Sequence, residues 1–219
     1  PGECSERGFT DAMPHRGELP GLYNYYARTK SESVQLRALE DQRCIFFPLF
    51  MTGYVIADLL LDNDWFGVKQ VVIGSASSKT GFSTAAFIRA AGFGGTLVGL
   101  TSDQNVAFSE ALGCYDRVVR YVEVESIASE PSTYIDIAGD VAVRSRLHHS
   151  LQNKVAQTLL VGATHWDQFG QSVGGEPLPG SEPRVFFAPA QIAKRDGEWG
   201  RGVVMGNASA ASIELLSQL

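Results

Sequence analysis

The chain has 219 residues, 44% hydrophobic and 19% charged, which is enough apolar material to bury a sizeable core and too much for a disordered chain. A net charge of −6, with Lys and Arg scattered rather than clustered, removes the electrostatic footprint of a nucleic-acid binder. Three widely spaced cysteines, Cys4, Cys44 and Cys114, make neither a disulfide framework nor a cysteine-rich zinc site, and point to a reducing, cytoplasmic setting.

Residues 1 to 33 carry Gly, Pro, Arg and Tyr in no sustained period and read as a loop-like opening segment. Its one distinctive patch, "LYNYYARTK" (22 to 30), gathers three tyrosines, whose commoner role is packing. No charged-then-apolar secretory leader is visible, and the missing initiator Met leads us to expect a piece of a longer protein. "FPLFMTGYVIADLLLDNDWFG" reads as a mostly buried helix ending near Asn63-Asp64. The apolar stretch from Cys44 to Leu61 contains Pro48, Gly53 and Asp58, taken as interruptions, so no membrane span or membrane partner is expected.

The period then changes. "KQVVIG" (69 to 74) is a short β-branched run, and "FSTAAFIRAAG" follows at helical spacing with Gly92 as its stop. "GTLVGL" (95 to 100) is a second strand; "SDQNVAFSEALG" (102 to 113) is a helix with Ser102 or Asp103 as its N-cap. "DRVVRY" (116 to 121) and "TYIDIAG" (133 to 139) are further strands. "VAVRSRLHHSLQ" (141 to 152) is a helix, and "AQTLLVGAT" (156 to 164) a fifth strand. This alternation specifies βαβ units and a doubly wound, Rossmann-like parallel sheet of the α/β class. The Gly/Pro-rich "GQSVGGEPLPGSEP" is a surface loop, then come "RVFFAPA" and a last helical segment around "ASIELLSQL". The domains expected are a segment 1–45, a dinucleotide-binding domain 46–190 and a helical segment 191–219.

"GSASSKTG" (74 to 81) carries the chemistry. A nucleoside-triphosphate P-loop needs G-x-x-x-x-G-K-[ST], but Gly74 precedes Lys79 by one position too few and Ser78 replaces the second glycine. A dinucleotide turn needs strand, tight turn and helix with small residues at the close contacts, and Ser75, Ser78 and Gly81 supply them. The helix N-terminus, with Lys79 and Thr80 in its first turn, favours a phosphate there. A βα turn without a ligand is the plainer alternative.

"FFPLFMTGYVIADLL", "VVIGSASSKTGFSTAAFIRAAG", "GTLVGLTSDQNVAFSEALGCYDRVV" and "YIDIAGD" fall in an order and spacing that resembles the medium-chain dehydrogenase/reductase superfamily, most of all its zinc-independent, quinone-oxidoreductase-like branch. The resemblance covers about residues 46 to 164 and lies in the cofactor domain. Members of that superfamily usually carry a GroES-like β domain that forms the other wall of the active site, and no such all-β sequence lies upstream of Leu36.

The second strand ends Leu100-Thr101-Ser102 without a carboxylate, while Asp103 is better explained as a helix cap; this favours NADP over NAD, although no arginine is evident at that point to meet the 2′-phosphate. Lys79 is a candidate for that contact. The resemblance implies that Gly139 and the Val161-Gly162-Ala163 strand end lie along the ribose and nicotinamide. It also implies backbone contacts at Phe186 and Phe187, and Tyr54 bordering the nicotinamide, with packing as the commoner role of these aromatics. His148 and His149 point apart on a helix, and His15 and His165 have no nearby ligand partners, so no metal is expected.

The expected function is therefore NADPH-dependent, zinc-independent hydride transfer to a small quinone, enone or similar carbonyl-conjugated substrate. This chain would be mainly the cofactor-binding domain, with a homodimer as a further expectation. The alternative is a non-catalytic nucleotide-binding or protein-interaction module on the same scaffold.

Overall fold

The computed structural model describes residues 2–19, 21–162 and 177–218. The end of the fifth expected strand at 163–164, His165 and the first half of "GQSVGGEPLPGSEP" lie outside these residues. The chain divides into two compact units, Pro1–Phe47 and Pro48–Leu219.

The first unit is more ordered than its composition implies. β1 (Gly8–Thr10) and β2 (Tyr25–Ala27) form an antiparallel pair, short 3₁₀ turns connect them, and α1 (Val34–Ala38) starts on a Ser33 cap. Tyr26 stacks on Phe9 at 5.1 Å between ring centroids, and Tyr23, Tyr25 and Tyr26 are all exposed.

α2 runs over Glu40–Asp62, and its 23 residues are long and apolar enough, by length and composition, to cross a membrane. The expected interruptions are absorbed in one continuous helix. Pro48 sits inside it, Gly53 lets the backbone of Thr84 approach where a Cβ would stand 2.9 Å from its nitrogen, and Asp58 is paired with an arginine. Its Phe50, Val55, Ile56 and Leu60 are fully buried within the second unit.

The second unit holds β3 (Gln70–Ile73), α3 (Lys79–Ala90), β4 (Thr96–Thr101), α4 (Val106–Ala111), β5 (Arg117–Arg120), β6 (Ser132–Asp136), α5 (Val141–Leu151), β7 (Val155–Leu160), β8 (Arg184–Val185), α6 (Ala188–Trp199) and α7 (Val203–Leu216). α6 opens the helical segment expected over 191–219, three residues earlier than its expected start. The six strands are all parallel and ordered β5-β4-β3-β6-β7-β8, so the order reverses at β3. Right-handed crossovers then place α3 and α5 on opposite faces. β-branched and apolar strands buried on both faces are what this demands, and all four residues of β3 are buried. Val72, Val98, Leu100 and Tyr134 pack with Leu147 and Leu151 of α5 on one side. On α3, Phe82 and Phe87 meet Phe50 edge to face.

Candidate functional site

In an open α/β sheet the ligand crevice lies outside the carboxyl ends of the strands where their order reverses. Here that point is the turn leaving β3, residues 74 to 78, between the ends of β4 and β6. Hydrogen bonds stitch it to both neighbours: Gly74 N–H donates to the Ile135 carbonyl and Ala76 N–H to the Leu100 carbonyl, each at 2.9 Å. The Tyr115 hydroxyl donates to the Ala76 carbonyl at 3.0 Å, which fixes the middle of the turn.

The three small positions expected at this turn come together. Ser75 has φ +53°, in the left-handed region, and its N–H donates to the Tyr121 hydroxyl at 3.0 Å. Ser78 N–H closes the turn on the Ser75 carbonyl, and the Ser78 hydroxyl caps α3 by accepting from Gly81 N–H at 3.0 Å. A Cβ on Gly81 would lie 2.4 Å from the Ser75 carbonyl oxygen, so the glycine is what lets helix and turn approach. Lys79 is exposed in the first turn, whereas Thr80 is buried beneath it.

At the end of β4, Thr101 is buried and its hydroxyl donates to Ser77 Oγ at 3.4 Å. Ser102 precedes the following 3₁₀ turn, but its hydroxyl accepts from the Asn105 side-chain amide rather than from a helix N–H. Asp103 is not the cap that the sequence implied. Its carboxylate pairs with Arg120 at 3.0 Å, so an arginine does stand beside this strand end. Parallel pairing sets this arginine, the last residue of "DRVVR", directly against Thr101.

The end of β6 is built on a buried ion pair. Asp136 accepts from Arg144 at 2.7 Å and from Gly139 N–H at 2.8 Å, and Gly139 takes φ +72° in front of the Asp140 cap of α5. Burial pushes the Asp136 carboxyl above its ordinary range, against the pull of Arg144 and the Gly139 amide. Burial also pushes the Tyr134 hydroxyl well up. Gly162, beyond β7, faces this loop: a Cβ there would stand 2.2 Å from the Ile137 carbonyl oxygen.

Tyr54 stands apart from these groups. Its ring meets Phe87 edge to face at 5.7 Å, near the far end of α3, about 12 Å along the helix from Lys79. Burial raises its hydroxyl pKa, with the Asp58 carboxylate adding to the effect. Phe186 and Phe187 line a groove of about 370 Å³ with Leu59, Leu159 and Gln191, and Phe187 is more than half exposed. His148 is buried while His149 is exposed, and among the described residues no three His, Cys, Asp or Glu are grouped to hold a metal ion.

The loop fits a dinucleotide pyrophosphate by its chemistry. Its side chains are small, three serine hydroxyls lie at or next to the N-terminus of a twelve-residue helix, and Gly81 marks the close approach of helix to turn. Ser75, Ser78, Lys79 and Gly81 belong to this one cluster; Thr101 and Ser102 flank it at β4, and Gly139 and Gly162 at β6 and β7.

The family model that matches the chain, over residues 1–219, is described as protein of unknown function (DUF2855). No curated protein matches it. Among solved structures, a Mesorhizobium loti protein provisionally assigned as an NADPH:quinone reductase aligns with a TM-score of 0.55 at 12% identity, over 88% of this chain and 54% of its own. The quinone oxidoreductase of Thermus thermophilus, solved also with NADPH, gives 0.51 at 15% identity over 87% and 57%. The CurK enoyl reductase gives 0.51 at 14% identity over 90% and 56%. The chain thus spans little more than half the length of these structures. The resemblance expected from the sequence holds for the fold, which the chain shares with part of each of these three structures.

Proposed function

We propose that this chain, which belongs to the DUF2855 family of proteins of unknown function, is the dinucleotide-binding part of a zinc-independent oxidoreductase that uses NADPH and reduces a quinone, an enone or a similar carbonyl-conjugated compound. One observation carries the reading: the serine-rich turn 74–78 leaves β3 at the point where the strand order β5-β4-β3-β6-β7-β8 reverses. When bound, the nicotinamide supplies the hydride.

The chain's own residues bind and orient. Ser75, Ser77 and Ser78 offer hydroxyls toward the pyrophosphate, the first turn of α3 offers amides and a favourable dipole, and Lys79 adds positive charge. Thr101 and Ser102 border the adenosine ribose, while Gly139 and Gly162 keep the two strand ends bare enough for the second ribose and the nicotinamide.

A second reading is a nucleotide-binding or interaction module without catalysis. It is favoured by the state of the charged pair in the crevice, where Asp136 and Arg144 are bound to each other and buried as a structural ion pair. Titration of NADPH and NADH, followed by nicotinamide fluorescence and thermal stability, tests both readings. NADPH binding that weakens about 10-fold in Lys79→Ala supports a dinucleotide loop, on the strength of one charge-assisted phosphate contact. Turnover across a quinone and enone panel separates enzyme from module, and failure to bind either cofactor would sink the oxidoreductase reading and leave an interaction module on the same scaffold.

A further inference from the structure

In a Rossmann sheet the adenosine ribose lies beyond the end of the second strand, where a carboxylate selects NAD and an arginine accommodates the 2′-phosphate of NADP. That strand is β4, and both groups stand at its end. The register Val98↔Arg117, Gly99↔Val118, Leu100↔Val119, Thr101↔Arg120 brings Arg120 out of the sheet beside Thr101. Its guanidinium is divided between two carboxylates: Nε and Nη2 go to Glu123, and Nη1 goes to Asp103 at 3.0 Å. Asp103 is the more exposed partner, with 74% of its side chain accessible against 45% for Glu123.

We propose that Arg120 is the residue that recognises a 2′-phosphate, with Glu123 holding the guanidinium in place and Asp103 as the carboxylate it releases; this rests on the crevice being a dinucleotide site. Asp103 is tied by one hydrogen bond in an exposed ion pair, a weak arrangement, and turning it to water leaves nothing buried. A phosphate dianion is a stronger acceptor for the same planar donors, and the Glu123 edge keeps the fork oriented without using the Nη1 side. Without the 2′-phosphate, Arg120 keeps Asp103, so a nicotinamide dinucleotide lacking that group gains nothing from this side chain.

The test measures dissociation constants of the full chain for NADPH, NADH, adenosine 2′,5′-bisphosphate and AMP, in wild type, Arg120→Gln, Arg120→Lys and Asp103→Asn. Arg120→Gln weakens NADPH and the bisphosphate by about 10- to 100-fold and leaves NADH and AMP unchanged. Arg120→Lys falls between, since it keeps the charge and loses the fork. Asp103→Asn tightens NADPH. Equal loss of all four ligands in Arg120→Gln, or no loss of any, overturns the assignment. So does selective loss of NADH in Asp103→Asn, because the carboxylate would then be reading the ribose hydroxyls. Wild type that binds none of the four removes the dinucleotide reading itself, and the assignment with it; wild type that binds NADPH with no effect at Arg120 removes the assignment alone.

Discussion

Gly81 shows how one residue connects sequence to site. Glycine in a helix ordinarily costs about 1 kcal/mol relative to alanine, so Gly81→Ala should stabilise an unconstrained helix. Here the added Cβ meets the Ser75 carbonyl oxygen at 2.4 Å and the Ser78 hydroxyl at 3.0 Å, and turn and helix have to part. We expect Gly81→Ala to lower stability by about 1–3 kcal/mol, the range for overpacking, measured as a fall in urea midpoint with unchanged m. A stabilised variant would show that the turn yields freely. The small residues of "GSASSKTG" were legible because a tight βα turn needs them within one short stretch. The Asp103–Arg120 pair was not, because seventeen residues separate its members and only strand register brings them together. Asp103 alone, just after a strand and before a helical turn, has the local signature of a cap.

α6 lies in the helical segment expected over 191–219, but its own sequence did not mark it as a separate helix. "APAQIAKRDGEW" mixes Pro, Gly and four charges, and of its buried residues Gln191 and Arg195 are polar while only Ile192 is apolar. Arg195 is buried with its Nε on Asp58 of α2 at 2.8 Å, its Nη1 on Asp62 and Glu198, and its guanidinium 4.4 Å from the centre of the Trp199 ring. Gln191 donates to Asp58 at 2.7 Å, and Lys194 bonds Asp62. The helices are therefore joined by a buried polar clasp, and this explains why Asp58 is tolerated in an otherwise apolar helix. Removing one partner leaves the other charge buried without compensation, so Arg195→Ala should lose about 3–5 kcal/mol. The double variant Asp58→Leu with Arg195→Met should recover much of that loss in the same denaturation experiment, since it removes the buried Asp58–Arg195 pair together and leaves Asp62 on Lys194. If the double variant is no better than Arg195→Ala, packing of the arginine stem and Trp199 holds the helices, and the ion pair does not.

On the scale of the whole molecule, the alternation of strand and helix determined the sheet as far as β7, because each β-branched run is closed by a turn signal and followed by a helical period. The edge strand β8 is too short, at two residues, to carry a period of its own. The far half of the sheet is bound together in part by His148 of α5. Its Nδ1 lies 2.7 Å from the Pro179 carbonyl, which can only accept, so Nδ1 carries the proton and Nε2 accepts from the Thr158 hydroxyl of β7 at 2.9 Å. Burial lowers the His148 pKa below its ordinary 6.5, and the nearby Arg144 and His149 add to the effect. In the unfolded chain the imidazole takes up a proton near pH 6.5, while in the fold it does so only at lower pH. Its contribution to stability is therefore complete above pH 6.5 and declines as the pH falls through that value toward the folded pKa, by at most about 1.4 kcal/mol per pH unit. Asp136 works in the opposite sense: its raised pKa favours the fold at low pH, a contribution lost as pH rises through the folded pKa. Unfolding free energies of wild type and His148→Gln between about pH 7.5 and 5.5 isolate the histidine, because every other titrating group, Asp136 included, is common to both chains. The wild type should lose stability faster than the variant as the pH falls; parallel curves would mean that the imidazole binds its proton equally in the folded and unfolded chains, and a wild type that gains on the variant would mean that it is charged in the fold and donates to Thr158.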